Sequence, residues 1–152
     1  MNFKKLIIAL ILPQLAGIIG SVFTISSIPT WYATLNKPFF NPPNWVFGPV
    51  WILLYFLMGI SLYLVWESKK ENKKALRIFG IQLALNTLWS IVFFGFHSPI
   101  GALIVIFALL MSIAVTILEF MKISKKVGYL LIPYILWTSF ATLLNFAIFL
   151  LN

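Results

Sequence analysis

Charged residues divide this chain into long neutral stretches, residues 6–36, 38–66, 78–118 and 127–152. A helix crosses a bilayer core of about 30 Å with roughly 20 predominantly apolar residues. The first, second and fourth stretches each hold one such helix, and the third is long enough for two. It breaks at His97-Ser98-Pro99, where Ser98 suits an N-cap and Pro99 the first helical position. The pattern therefore predicts five spans, at about 5–26, 43–66, 76–96, 99–121 and 128–150. Helices satisfy every backbone group within the span, and the short alternating strands of a barrel are not evident here. The expected fold is all-α, a single transmembrane domain over 1–152, with a long ordered loop between the first two helices. Lys4-Lys5 ahead of an apolar run resembles a signal peptide. No clear small-residue cleavage site follows, and the run reaches about Ile25, so a retained helix is expected.

Composition agrees with the pattern. The chain is 62% hydrophobic and 9% charged, with a mean hydropathy of +1.04. Soluble domains carry about 25% charged residues, enough to cover their surface. A water-soluble enzyme or a free nucleic-acid-binding domain is excluded. Cysteine is absent, so disulfides, thiolate chemistry and Cys-based metal sites are excluded too.

The net charge of +8 adds orientation. Five spans place Lys4, Lys5, Lys69, Lys70, Lys73, Lys74, Arg77, Lys122, Lys125 and Lys126 on one side, and only Lys37 on the other. By the positive-inside rule the N-terminus faces the cytoplasm and the C-terminus the outside. The Lys-rich 69–77 segment reads as an orientation and anionic-lipid signal, not a nucleic-acid site. The short N-terminus and clean charge bias point to a bacterial plasma membrane.

The external connection, residues 27–44, holds Pro29, Pro38, Pro42 and Pro43, which stiffen it and stop it continuing as one helix. Trp31, Tyr32, Phe39 and Phe40 make it aromatic. Two readings stay open: an interfacial aromatic belt, or a lid over a cavity. Asn41-Pro42 reads as the N-cap and first turn of the second helix, and Pro49 as a kink or loosened turn before Trp51.

Inside the membrane, Gln82, Asn86, Trp89 and Phe93 share one helical face. Trp51 and Tyr55 lie one turn apart, and Tyr134, Trp137, Thr138, Ala141 and Asn145 recur at comparable spacing on the last helix. Gln14 accompanies the small residues Gly17, Gly20 and Ser21. Polar groups at bilayer depth face the bundle interior or a cavity. They serve either as interhelical hydrogen bonds or as the amide groups of an aromatic-walled site for a flat apolar ligand. Small pairs such as Gly17/Ser21, Gly80/Ala84 and Ala108/Ser112 allow close packing within the bundle or across a dimer. All three acids, Glu67, Glu71 and Glu119, lie at span ends, and His97 falls in a turn. With no Asp and no intramembrane carboxylate, no catalytic or metal-ligating set is assembled, and proton-coupled transport is disfavoured.

The motifs resemble one family. Trp31-Tyr32-x2-Leu35-x-Lys37-Pro38 and Pro42-Pro43-x-Trp45-x2-Gly48-Pro49-Val50-Trp51-x3-Tyr55-x2-Met58-Gly59 resemble the signature of the translocator protein family, also called tryptophan-rich sensory proteins or peripheral-type benzodiazepine receptors. Gln82-Leu83-x-Leu85-Asn86-x2-Trp89, Phe93-Phe94-Gly95 and Pro133-Tyr134-x2-Trp137-x3-Ala141-x3-Asn145 extend the match over nearly the whole chain.

The resemblance implies a five-helix bundle, often a homodimer, with a pocket beneath the first loop. It implies a receptor for porphyrins such as protoporphyrin IX and related flat hydrophobic ligands, acting as a tetrapyrrole sensor or carrier. Alternatives are light-dependent porphyrin breakdown or transport of hydrophobic molecules. Carried over by motif, the pocket involves Trp31, Tyr32 and Pro42 from the loop, Trp51 and Tyr55, then Asn86, Trp89 and Phe93, and finally Trp137, Ala141 and Asn145. Lys37, the one outer cation, is expected near its mouth as a propionate partner. No cofactor is expected to be required; porphyrin is expected as ligand, and the bilayer is the other partner. One departure is clear: the end of the last span carries no Tyr and no basic residue, so the C-terminal sterol motif of animal members is absent.

Overall fold

The computed structural model describes all of residues 1–152. It is helical throughout, without strands. The elements are α1 (Phe3–Ser27), α2 (Trp31–Thr34), α3 (Asn44–Trp66), α4 (Lys73–Ser90), a π-helical turn (Ile91–Gly95), α5 (Pro99–Ile123), α6 (Lys125–Tyr129) and α7 (Ile132–Leu151). Five segments are long and apolar enough to cross a membrane: Phe3–Ser27, Asn44–Trp66, Lys73–Gly95, Pro99–Ile123 and Lys125–Leu151. Around the bundle, α1 packs between α3 and α4, α5 packs on α4, and α7 packs on α5.

Helix starts follow local chemistry. Asn2 caps α1 by accepting a hydrogen bond from the Lys5 amide at 3.2 Å. Ser98 caps α5, its oxygen accepting from the Gly101 amide at 3.1 Å, with Pro99 in the first turn as expected. The expected cap at Asn41 is corrected. Helix α3 begins at Asn44, behind an extended Pro43. A proline disfavours the α conformation in the residue before it, so Pro43 keeps Pro42 out of the helix. The span ending near residue 96 is also not uniformly α-helical. Its last turn widens, with the Phe96 amide bonding the Ile91 carbonyl at 2.9 Å. His97 closes the following turn in the left-handed region, φ 53°. The final span is interrupted after Tyr129 and restarts at Ile132, where Pro133 suits a first turn.

The lysine-rich end is packed solid. Phe79 stacks on Phe120 with ring centroids 5.9 Å apart and 10° between planes. Met58, Val65, Ile113 and Phe120 are fully enclosed. Ser61 donates to the Val127 carbonyl at 3.1 Å, tying α3 to α6. At the rim, Glu67 pairs with Lys5 (2.9 Å) and Glu119 with Lys74 (3.0 Å) and Lys122 (2.7 Å). The opposite half is built differently, from aromatic rings that do not fill their space.

Candidate functional site: a cavity beneath the α1–α3 loop

The same helices enclose a cavity of about 500 Å³ in the half of the bundle beneath the α1–α3 loop. Drug-sized ligand sites fall in the range of about 300–1,000 Å³, mostly apolar with a few placed polar groups. This one fits that description. Trp51 and Tyr55 from α3, Asn86, Trp89 and Phe93 from α4 and its π turn, and Trp137, Ala141 and Asn145 from α7 all line it. Tyr32 descends from the loop to form part of the roof.

The floor is a hydrogen-bonded ladder. Tyr55 donates its hydroxyl to Asn86 Oδ1 at 2.7 Å, Asn86 Nδ2 donates to the Tyr134 hydroxyl at 2.9 Å, and Tyr134 donates to Gln82 Oε1 at 2.7 Å. Three helices are joined this way, with each polar atom satisfied away from lipid. Higher up, Trp89 Nε1 donates to Asn145 Oδ1 at 3.0 Å, and Asn145 Nδ2 donates to the Pro99 carbonyl at 2.9 Å. The amides thus serve as interhelical bonds and as cavity wall at once. Gln82 belongs only to the first role; it lies below the cavity.

Aromatic packing sets the wall. Trp51 stacks on Tyr55 at 5.5 Å and meets Tyr134 edge-on at 6.2 Å. Trp89 stacks on Phe93 at 5.4 Å, and Phe47 meets Trp137 edge-on at 6.0 Å. The indole nitrogen of Trp137 is buried and has no hydrogen-bond partner. A buried N–H without a partner is costly.

The loop is ordered by its own chemistry. Tyr32 is only 5% exposed, packs on Phe93 and Phe94, and donates to Asn41 Oδ1 at 3.0 Å. Burial raises its phenol pKa, partly offset by the bond to Asn41. Trp31 stacks on His97 at 4.5 Å. Ser27 holds this corner, donating to the Phe94 carbonyl at 2.6 Å with His97 Nε2 at 3.2 Å. Asn36 and Asn152 bond reciprocally, amide to Oδ1 at 3.0 Å and Nδ2 to carbonyl at 2.9 Å, fastening the loop to the end of α7.

Three residues expected at the pocket stand outside its wall. Trp31 faces His97 and a separate shallow recess. Pro42 offers its carbonyl to Asn41 Nδ2 at 3.3 Å. Lys37 lies over the Tyr32 ring, its Nζ 4.6 Å from the centroid, and donates to the Leu35 carbonyl at 3.2 Å. Tyr32 lines the cavity and Lys37 does not. Conversely, sequence reasoning left out the α1 wall (Gln14, Gly17, Ser21), Phe47 of α3, and Phe94. The polar and small spacing on α1 was visible but pointed only to packing. Phe94 stood in the quoted Phe93-Phe94-Gly95 motif, but helical spacing did not place it beside Phe93, because adjacent residues of a regular helix point 100° apart; both line the cavity from the π turn.

These features define a five-span integral membrane protein built around an aromatic-walled cavity. The TspO/MBR family model matches residues 9–151. The chain is 48% identical over 153 residues to the tryptophan-rich protein TspO of Archaeoglobus fulgidus, covering 100% of this chain and 99% of that one. It is 39% identical over 140 residues to the translocator protein of Homo sapiens (90% and 83% covered) and 37% identical over 140 residues to protein CrtK of Rhodobacter capsulatus (90% and 86%). The chain belongs to the TspO/MBR family.

Proposed function

We propose that this protein is a membrane receptor or carrier for porphyrins and related flat hydrophobic ligands. The observation that carries the reading is the uncharged cavity of about 500 Å³, walled by Trp51, Trp89 and Trp137. Indole faces give large, rigid contact area to a planar π system. Asn86 and Asn145 provide the few polar contacts that orient it. The expected membrane is a bacterial plasma membrane, with the N-terminus cytoplasmic, on the charge count given above; a homodimer is the expected assembly.

Titration of the purified protein with protoporphyrin IX, followed by quenching of tryptophan fluorescence, tests the reading. Saturable quenching that weakens in Trp51→Phe and Trp137→Phe supports it, and quenching that never saturates overturns it. No His, Cys or Met lines the cavity, so free-base porphyrin is expected to bind about as well as haem. A strong preference for haem with a shifted Soret band contradicts that. Lys37 reaches a propionate only if its side chain leaves the Tyr32 ring and the Leu35 carbonyl. Porphyrin affinity unchanged by Lys37→Ala across a salt series removes it from the site.

A second reading is favoured by the contact of Trp51 with both Tyr55 and Tyr134. Such a cluster of oxidisable rings suits light-driven porphyrin oxidation by dioxygen. Illumination of the loaded protein separates the two: Soret loss that requires Trp51 favours breakdown, and a stable spectrum favours binding alone.

A further inference from the structure

The cavity wall is not equally closed on its two sides. On α7 the lining residues Ala141, Leu144, Asn145 and Ile148 are buried. On α1 and α3 several lining residues are also the outer surface of the molecule: Ile18 is 59% exposed, Ile52 62% and Trp45 75%. A side chain that borders both the cavity and the exterior marks a wall one residue thick.

The glycines explain the geometry. Helices α1 and α3 run antiparallel, as the pairs Lys5–Glu67 and Gln14–Ile52 require. At Gly59 an added Cβ would lie 2.8 Å from the Ala9 carbonyl oxygen and 2.8 Å from Leu10 Cα. At Gly17 it would overlap the Tyr55 ring. On the same helix as Gly59 but nearer the loop, a Cβ at Gly48 would meet nothing within 4 Å. The two helices are in backbone contact at Gly59, at the lysine-rich end, whereas Gly48, nearer the loop, is exposed and borders the cavity. The last polar tie between them is Gln14 Nε2 donating to the Ile52 carbonyl at 3.2 Å.

The route through the loop is, by contrast, bolted. Tyr32, Asn41, the Asn36–Asn152 pair and the Trp31–His97 stack all hold it down. We propose that the seam between α1 and α3, flanked by Ile18, Ser21 and Ile25 and by Trp45, Gly48 and Ile52, is a lateral portal. Flat apolar molecules dissolved in the bilayer reach the cavity through it while the loop stays closed. The inference rests on the reading of the cavity as a ligand pocket. Its flanks are apolar and face lipid, so a ligand crosses without being transferred through water.

The absence of native cysteine gives a test that needs no porphyrin. Ala141→Cys places a single thiol in the cavity of the full chain in liposomes. Its labelling is followed with a lipophilic maleimide and with a charged, membrane-impermeant one. Ile18→Trp and Ile25→Trp each narrow the seam from a lipid-facing position, and either alone suffices if the other expresses poorly. The lipophilic rate is expected to fall about tenfold in both, equivalent to about 1.4 kcal/mol of added barrier. The charged reagent is expected to stay slow until Tyr32→Ala opens the loop. An unchanged lipophilic rate in the seam variants, with acceleration of both reagents by Tyr32→Ala, places access at the loop and overturns the portal. A protein that shows the seam effect yet fails to quench with porphyrin keeps the portal and loses the porphyrin reading.

Discussion

The two halves of this bundle are cut from the same helices, yet one is solid and the other hollow. At the lysine-rich end, Gly59 lets α3 lie against the α1 backbone, and Met58, Val65, Ile113 and the Phe79–Phe120 stack fill the remaining space. Towards the loop, the ring pairs Trp51–Tyr55, Trp89–Phe93 and Phe47–Trp137 meet at edges and offset faces, and a cavity remains between the pairs. Hydrophobicity does not distinguish the halves; side-chain packing does. In the solid half the side chains, the stacked Phe79 and Phe120 among them, interdigitate, whereas in the hollow half rings tied across helices by hydrogen bonds leave space between them. In lipid this matters more than in water, because packing and polar pairing carry helix association.

The largest expected effect breaks the solid half. Gly59→Leu forces a side chain into backbone atoms that cannot yield, and overpacking of that kind costs about 3 kcal/mol or more. Gly48→Ala on the same helix faces open space. Its one cost is crowding of the following Pro49 ring, and about 1 kcal/mol or less is expected. Unfolding of both variants in mixed micelles, followed by far-ultraviolet circular dichroism, checks the contrast. Equal losses would show that the helices are as close at Gly48 as at Gly59.

Next in size is the ladder on which the hollow half stands. Asn86→Ala leaves the Tyr55 hydroxyl without its acceptor, while Tyr134 keeps its bond to Gln82. One orphaned buried hydroxyl and the lost packing predict a loss of about 2 kcal/mol. A loss no larger than that of an outward-facing control such as Leu143→Ala would mean the ladder is not what props the cavity.

Trp137→Phe separates stability from binding. It removes a buried N–H that has no partner, so stability is expected to change by less than about 1 kcal/mol. A planar ligand loses part of the indole face that lines the cavity, worth up to about a tenfold fall in affinity. The same titration and melting curve read both quantities. A stability loss without any affinity loss would make Trp137 a packing residue of the solid kind.

Much of this division was legible in the sequence, and the exceptions have physical causes. Neutral stretches gave the five spans because length and charge alone decide whether a helix crosses a bilayer. The spacing of Asn86, Trp89 and Phe93 placed them on one face, and the cavity is where that face points. Gln14, Gly17 and Ser21 were visible as a stripe, but a stripe of small residues has the same pattern whether it packs against a neighbour or borders a void. On α1 it does both: Gly17 meets Tyr55, and Ser21, one turn further along, borders the cavity. Phe94 depended on a π turn, which no residue pattern announces. Asn41 had the chemistry of a cap, but Pro42-Pro43 kept the helix from starting there, and its side chain took the Tyr32 hydroxyl instead.

The smallest effect concerns the loop that roofs the hollow half. An accessible tyrosine titrates near pH 10, and burial lifts Tyr32 above that value in the closed loop. The closed form therefore holds its proton more tightly than the open form. Closure is at full strength below about pH 10 and weakens as pH rises towards the higher value of the closed state. Tyr32→Phe removes this dependence together with the bond to Asn41, at a cost of about 1 kcal/mol at neutral pH. Trp31 lies stacked on His97 at the edge of the same loop, so the emission of a variant whose other tryptophans are phenylalanine reports loop opening. Above about pH 10 its red shift is expected with Tyr32 and to flatten with Phe at that position. The lysine-rich half, with its packing intact, should keep its helical signal over that range. Identical alkaline profiles for the two proteins would mean that the loop is held by Asn36–Asn152 and Trp31–His97 alone, and that Tyr32 roofs the cavity without latching it.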